Sequence, residues 1–198
     1  MTAGTDGHAV LWPLPNDFVE TSTQVLKWQQ PTRIHQNASK TMASHVNSDG
    51  TTLIVSGGDD GALAFLLIHS YMSEFSSGPR EIYASSPVLV TRAHGSAVTA
   101  CTIVTIQSHV YILTSGNDEW IRLWEVVINN HRDDVSSQIG SDRLSIRRLS
   151  KIKASVADVS SMAVLDRDGD TIARVLVCGV GMEVIRLNPL LNGESSAL

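Results

Sequence analysis

Apolar and polar residues alternate along the chain in short runs punctuated by Gly, Asn, Asp and Ser, a period-two pattern that predicts strands joined by tight turns. The clearest stretch is Ile112 to Trp124, ILTSGNDEWIRLW. Its first run ends in the small pair Ser115-Gly116, Asn117-Asp118 hold the turn, and Ile121, Leu123 and Trp124 return as a second strand. Upstream, His94-Gly95 leads into an apolar run that starts near Val98. Aligned on the glycine before the turn, the stretch recurs. Gly4-Thr5-Asp6-Gly7 through Trp12 and Gly58-Asp59-Asp60-Gly61 through Leu66 match Gly116 through Trp124, and Gly179-Val180-Gly181-Met182 through Leu187 is a degenerate fourth copy. The upstream half recurs as well, since His35 precedes Asp60 by nearly the interval that separates His94 from Asp118.

A His-Gly pair, a strand, a Ser or Thr, an Asp in a hairpin turn and a Trp closing the next strand resemble the WD-repeat signature of a β-propeller blade. The resemblance implies a buried hydrogen-bonded chain of His94, Thr114, Asp118 and Trp124, and a partial set of His35, Ser56 and Asp60 in the second copy, where Leu66 stands at the Trp position. The fourth copy has Gly181 in place of the Asp and Val177 in place of the hydroxyl, so packing is expected to hold its turn. The expected fold class is all-β, a WD-repeat β-propeller of about three and a half blades. Its copies lie near 2–12, 35–66, 94–124 and 155–187, in one unit spanning 1–191 with a tail at 192–198.

The aligned glycines at 4, 58, 116 and 179 stand further apart than the roughly 40–45 residues of a compact blade. Pro13 to Thr23, His69 to Pro87 and Asn129 to Asp142 supply most of the excess. Polar and rich in turn formers, they read as loops before the outermost strand, either solvated insertions or a decorated docking edge. The chain opens at the end of a second strand, whereas closed propellers have about four to eight blades. The expectation is an open arc, the C-terminal part of a longer protein or a truncated gene model of one.

Composition narrows the class. At 198 residues, 42% hydrophobic and 18% charged, the chain fits one soluble globular unit. No run reaches the roughly 18 apolar residues of a membrane span, and the N-terminus lacks a signal-peptide pattern, so a cytoplasmic location without a membrane partner is expected. A net charge of −5 argues against a generally basic surface while leaving room for a local basic patch. Cys101 and Cys178 are isolated thiols in apolar runs, read as buried small hydrophobes rather than ligands or a bridge.

Candidate chemistry is sparse. A His, a hydroxyl and an Asp in mutual reach also describe a nucleophilic triad, but that chemistry needs an exposed nucleophile, and this spacing places Thr114 inside a sheet. Asp166-Arg167-Asp168-Gly169-Asp170 has the carboxylate spacing of a calcium loop, yet Val177 occupies its twelfth position, where such a loop needs a bidentate Glu; Asp168-Gly169 reads instead as a hairpin turn. There is no strand-glycine-helix cofactor motif and no convergent acid–base set. A non-catalytic chain is therefore expected, with no cofactor, metal or small-molecule substrate.

Two surface features are candidate contacts. Trp120 stands where a WD repeat usually has a small or polar residue, so it either meets a partner or packs on the neighbouring blade. Arg143, Arg147, Arg148, Lys151 and Lys153 concentrate five of the fifteen basic residues in one short tract, interleaved with Leu144, Ile146, Leu149 and Ile152. This reads as an outer strand whose charges either block strand-to-strand aggregation or contact phosphates. Arg147-Arg148-Leu149-Ser150 also resembles a short basophilic kinase site.

At the fourth copy, Ala157-Asp158-Val159-Ser160-Ser161-Met162 and Val177-Cys178-Gly179-Val180-Gly181-Met182-Glu183-Val184 resemble the C-terminal end of the WD-repeat regulatory subunits of the tRNA wobble-position 2′-O-methyltransferase. Thr2-Ala3-Gly4-Thr5-Asp6-Gly7, Ser56-Gly57-Gly58-Asp59-Asp60-Gly61 and Ala93-His94 are similar to the same family in the same order. The resemblance implies a non-catalytic subunit that binds a separate methyltransferase chain, the carrier of S-adenosylmethionine, and supports methylation of an anticodon-loop ribose, with tRNA as a possible second partner. A generic WD-repeat interaction scaffold unrelated to tRNA is the alternative.

Overall fold

A computed structural model of the chain describes residues 1–12, 30–71, 81–129, 144–168 and 171–188. Among them the chain is all-β, with strands and no helix, and so no helix long and apolar enough to cross a membrane. β1 (Thr2–Ala3), β2 (His8–Val10) and β3 (Thr32–Arg33) form a first sheet. β4 (Ser39–Val46), β5 (Thr52–Gly58), β6 (Leu63–Tyr71) and β7 (Glu81–Ala84) form a second in that order, with β8 (Val88–Val90) also pairing β6. The third contains β9 (Val98–Ile106), β10 (His109–Gly116), β11 (Trp120–Ile128) and β12 (Leu144–Lys153), and the fourth β13 (Ala157–Asp168) and β14 (Ile172–Leu187). Every pairing is antiparallel between chain neighbours, apart from the second contact of β6 with β8.

The side-chain period of two sends alternate residues of each strand to opposite faces, and three apolar clusters use those faces in chain order. Ala9 of the first sheet meets Ile54, Ala64 and Leu66 of the second. Leu53, Val55, Leu63, Phe65 and Leu67, from the opposite face of the second, meet Val110, Ile112, Trp124 and Val126 of the third. Leu113, Ile121 and Leu123, from the opposite face of the third, meet Ala173, Val175, Val177 and Leu187 of the fourth. The second and third sheets are thus apolar on both faces, which is why Ala62 to Leu67 is buried at every position.

Backbone bonds stitch each turn to the sheet that follows. Gly7 O accepts the Ile34 and His35 amides at 2.9 and 3.1 Å, Gly61 O accepts the His94 amide at 2.9 Å, and Glu119 O accepts the Ala154 amide at 2.9 Å. These three acceptor residues share a left-handed backbone, with φ of 76°, 71° and 61°. Glycine suits that region, and a non-glycine residue there is uncommon. The leading strands also converge. β9 packs against both β4 and β13, Thr41 Oγ1 accepts the Cys101 amide at 3.2 Å, and the Thr99 hydroxyl donates to Val159 O.

Several expectations change. The fourth copy does not show a separate turn at Gly179 to Met182, because β14 carries strand through that segment, with Gly181 at φ 110° within it. His69 to Pro87 is not loop throughout. His69 ends up inside β6 and Glu81 to Ala84 form β7, where the His69 and Tyr83 rings stack at 4.9 Å across a paired position. Pro13 to Thr23, the segment beyond Asn129, Gly169-Asp170 and the tail at 192–198 lie outside the described residues.

Candidate functional site

In the third sheet, β10 and β11 hold Thr114 opposite Arg122 and Ile112 opposite Trp124. That register puts Thr114 and Trp124 on one face, and the Trp124 indole N–H, which can only donate, reaches Thr114 Oγ1 at 2.9 Å. Thr114 Oγ1 lies 2.8 Å from His94 Nε2, and His94 Nδ1 lies 3.0 Å from Asp118 Oδ1. An ionised carboxylate only accepts, so His94 carries its proton on Nδ1 and accepts a hydrogen bond from the Thr114 hydroxyl at Nε2. The donors then run in one direction from Trp124 to Asp118. Asp118 also accepts the Gly95 amide at 2.9 Å and the Trp120 amide at 3.3 Å, which ties the turn to the segment before β9 and to the start of β11.

Arg122 belongs to this network and was not foreseen. Its side chain is buried beside the carboxylate, Nη1 donating to Asp118 Oδ2 at 2.8 Å and lying against His94 Nδ1. The available signal was an arginine in strand alternation with Trp124, on the face that the Ile112 and Trp124 pairing turns inward.

The second sheet repeats the geometry. His35 reaches Ser56 Oγ at 3.0 Å and Asp60 Oδ1 at 3.2 Å, and Asp60 accepts the Gln36 and Ala62 amides at 2.7 and 3.1 Å. With leucine at position 66, the further partners of Ser56 Oγ are the Ser39 hydroxyl, at 2.7 Å, and the Thr41 carbonyl oxygen, at 3.3 Å. The glycine before this turn is required by close packing, since a Cβ on Gly58 would come within 2.5 Å of Asp60 Oδ1.

The outer copies retain fragments. Trp12 Nε1 donates to Thr2 Oγ1 at 2.9 Å, reproducing the indole–hydroxyl bond of the third sheet. In the fourth sheet Glu183 Oε1 accepts the Ser155 amide at 3.0 Å, as Asp118 accepts the Gly95 amide. A carboxylate therefore survives there, displaced from the aligned position at Gly181.

Burial sets the protonation of the two histidines, and hydrogen bonding that of the two aspartates. Desolvation lowers the pKa of His94, with Arg122 adding to it and Asp118 opposing; desolvation likewise lowers His35 against the pull of Asp60. For Asp118 and Asp60 burial acts upward but is outweighed by hydrogen bonds, from His94, the Gly95 amide and Arg122 in one case and from the Gln36 and Ala62 amides and His35 in the other, so both carboxyls sit below their ordinary value. In every case the unfolded chain binds its proton first, and stability must fall with falling pH. The histidine contribution is fully present above their ordinary value near about 6.5 and is lost as pH drops toward the lower folded values; the aspartate contribution is lost below about 4. A urea midpoint followed from about pH 8 to pH 3 should decline in two stages. A midpoint flat through the first window would show that the imidazoles titrate alike in both states.

A wholly buried Thr114 hydroxyl offers no path for a substrate, so this constellation holds a turn rather than presenting a nucleophile. Cys101 is buried and its thiol is pushed up to about 11 by desolvation, which keeps it protonated and unreactive. Among the described residues no cluster of three or more His, Cys, Asp and Glu is placed to hold a metal. A cavity between the first two sheets is lined mainly by apolar side chains, including Met1, Leu11, Leu66 and Ala84, with no titratable side chain.

The basic tract lies on β12, an edge of the third sheet. A bulge between Leu123 and Trp124 sets Ser150 opposite the first and Arg148 opposite the second, leaving Leu149 as the extra residue, packed into the cluster shared with the fourth sheet. Arg147 is exposed but paired with Glu125 Oε2 at 2.8 Å, and Lys153 Nζ lies 3.3 Å from Glu119. Lys151 Nζ sits 4.5 Å from the centre of the Trp120 ring, so this aromatic already carries a cation on one face. Arg148 is exposed opposite Trp124, and Arg143 lies outside the described residues. Comparison with known protein families and with curated proteins finds no match to this chain.

Proposed function

We propose that the chain is a portion of a WD-repeat β-propeller acting in the cytoplasm as a non-catalytic regulatory subunit: it binds a tRNA 2′-O-methyltransferase chain and supports wobble-position ribose methylation. The observation that carries the propeller reading is the repeat of one buried network, His94–Thr114–Asp118 and His35–Ser56–Asp60, at the same place in two successive stacked sheets. The tRNA reading rests on the resemblance of the fourth-copy motif, from Ala157 to Met162 and from Val177 to Val184.

A generic interaction scaffold is the second reading, and a specific observation favours it. Arg147, Lys151 and Lys153 are engaged within their own sheet, as expected of an edge that uses charge to prevent strand addition. The test is reconstitution. The purified chain should transfer no methyl group alone and should raise wobble-ribose methylation when added to its catalytic partner. Charge reversal by Arg147→Glu with Arg148→Glu should weaken tRNA binding and reduce the slope of log affinity against log salt by about 1–2, as for two lost phosphate contacts. A chain that neither binds a methyltransferase nor changes tRNA ribose methylation on deletion is a scaffold of the second kind.

A further inference from the structure

Ser150 is the one serine or threonine of the chain with an arginine at both the third and the second position before it, Arg147 and Arg148. β12 carries this tract as the outer strand of the third sheet, paired to β11 along one edge and to no other strand among the described residues along the second. The bulge interrupts the pairing immediately before Ser150, since the register passes from Arg148 opposite Trp124 to Ser150 opposite Leu123 and skips Leu149. A ladder is locally disrupted at such a bulge, so β12 is held least firmly beside this serine. Arg147 and Arg148 are exposed, and Ser150 keeps part of its surface in solvent.

The bulge also decides which side chains share a face. In a regular strand Arg147 and Ser150, three residues apart, would point to opposite faces. Here they stand opposite Glu125 and Leu123, two residues apart on β11, and so fall on the same one. We propose that Ser150 is a phosphorylation site for a basophilic serine/threonine kinase, and that Arg147, on the same face, receives the phosphate. In the transfer Ser150 Oγ attacks the γ-phosphorus of magnesium-bound ATP, the bond from that phosphorus to the β–γ bridging oxygen breaks, ADP leaves, and the hydroxyl proton passes to the base of the kinase. A phosphoserine carries about −1.5 to −2 charges near neutral pH, whereas the Arg147 side chain, 71% exposed, is held by the single charge of Glu125. Guanidinium and phosphate pair bidentately, so Arg147 turns from Glu125 to the new group, and Glu125 keeps His109 at 3.6 Å. The site lies wholly within the third sheet and does not depend on a tRNA methyltransferase partner.

The purified, folded chain, incubated with the catalytic subunit of a cyclic-AMP-dependent protein kinase and magnesium ATP, should take up one phosphate, placed on Ser150 by mass spectrometry of its peptides. Ser150→Ala should abolish the uptake. Arg147→Met and Arg148→Met should each slow it about tenfold or more, as for a lost charge-assisted hydrogen bond to the kinase, with circular dichroism checking that each variant folds. A free peptide of the β12 sequence, Leu144–Lys153, gives the rate without the fold. Uptake by the peptide alone, by neither, or on another residue of the chain would each overturn the proposal, the first by showing that the sheet shields Ser150. Phosphorus NMR reads the second half. The phosphate should titrate below its ordinary value near about 6 in the wild-type chain, because a paired guanidinium favours the dianion, and closer to that value in Arg147→Met phosphorylated by long incubation. Identical titration in the two would overturn the role given to Arg147.

Discussion

Replacing Trp124 by alanine is expected to remove about 3–5 kcal/mol of unfolding free energy, the range for a large aromatic taken out of a packed interior. The side chain is 4% exposed and joins Val110, Ile112 and Val126 against the apolar face of the second sheet, so its removal opens a void at the centre of a contact between sheets. Part of the loss is polar, because Thr114 Oγ1 is fully buried and gives up the indole donor. Trp12 separates the two contributions. It makes a hydrogen bond of the same length to Thr2, but at a site where water can replace the indole, so Trp12→Ala should cost only about 1 kcal/mol. Denaturant unfolding followed by circular dichroism measures both. Equal losses at the two positions would mean that the hydrogen bond and not the burial governs the effect.

The hairpins were readable because their determinants are local. The small residues before the turn, Asp118 within it and alternation on either side specify the β10–β11 pairing, and the register of Ile112 with Trp124 follows. The stacking of the sheets was less direct. Alternation marks a strand with one buried face, yet Ala62 to Leu67 is apolar throughout, and that uninterrupted run was the sign that the second sheet is covered on both sides. Partners from elsewhere in the chain had no comparable signal. Ser39 answers for the missing tryptophan of the second copy through a contact across strands, and nothing in the spacing around Ser56 points to it.

The fourth copy shows how alignment on one glycine fails. Fixing Gly179 opposite Gly116 puts Gly181 at the Asp position and leaves the copy with no carboxylate, whereas the structure supplies Glu183 to the Ser155 amide. A longer side chain placed two residues later reaches the same kind of donor. The pairing of β13 with β14 is also irregular, with register shifts between Ala157 and Ser161 and between Val164 and Asp166, so residue spacing is not conserved between this sheet and the others. The bulge at Leu149 had the same effect on the basic tract, sending Leu149 into the core and Arg148 opposite Trp124 within an apparently continuous alternation.

Asp118→Ala should be the most damaging polar substitution, at about 3 kcal/mol, the lower end of the range for breaking a buried ion pair by removing one partner. The two side chains keep a little solvent contact, 14% for Asp118 and 11% for Arg122, which is why the lower end applies. Without the carboxylate, the buried Arg122 loses its ion-pair partner while its Nε already lacks a hydrogen bond, and His94 Nδ1 and the Gly95 amide lose their acceptor. Asp60→Ala removes an acceptor from His35 and from the Gln36 and Ala62 amides, but leaves no guanidinium behind. Its cost should therefore be smaller, about 1–2 kcal/mol. The two losses should differ for the stated reason, and a double-mutant cycle tests that reason. Combining Asp118→Ala with Arg122→Met removes the stranded charge while keeping an apolar side chain, and should recover about 1–2 kcal/mol relative to additivity. Strict additivity of the two changes, or equal losses at Asp118 and Asp60, would show that Arg122 is a bystander and that the carboxylate acts only on the turn.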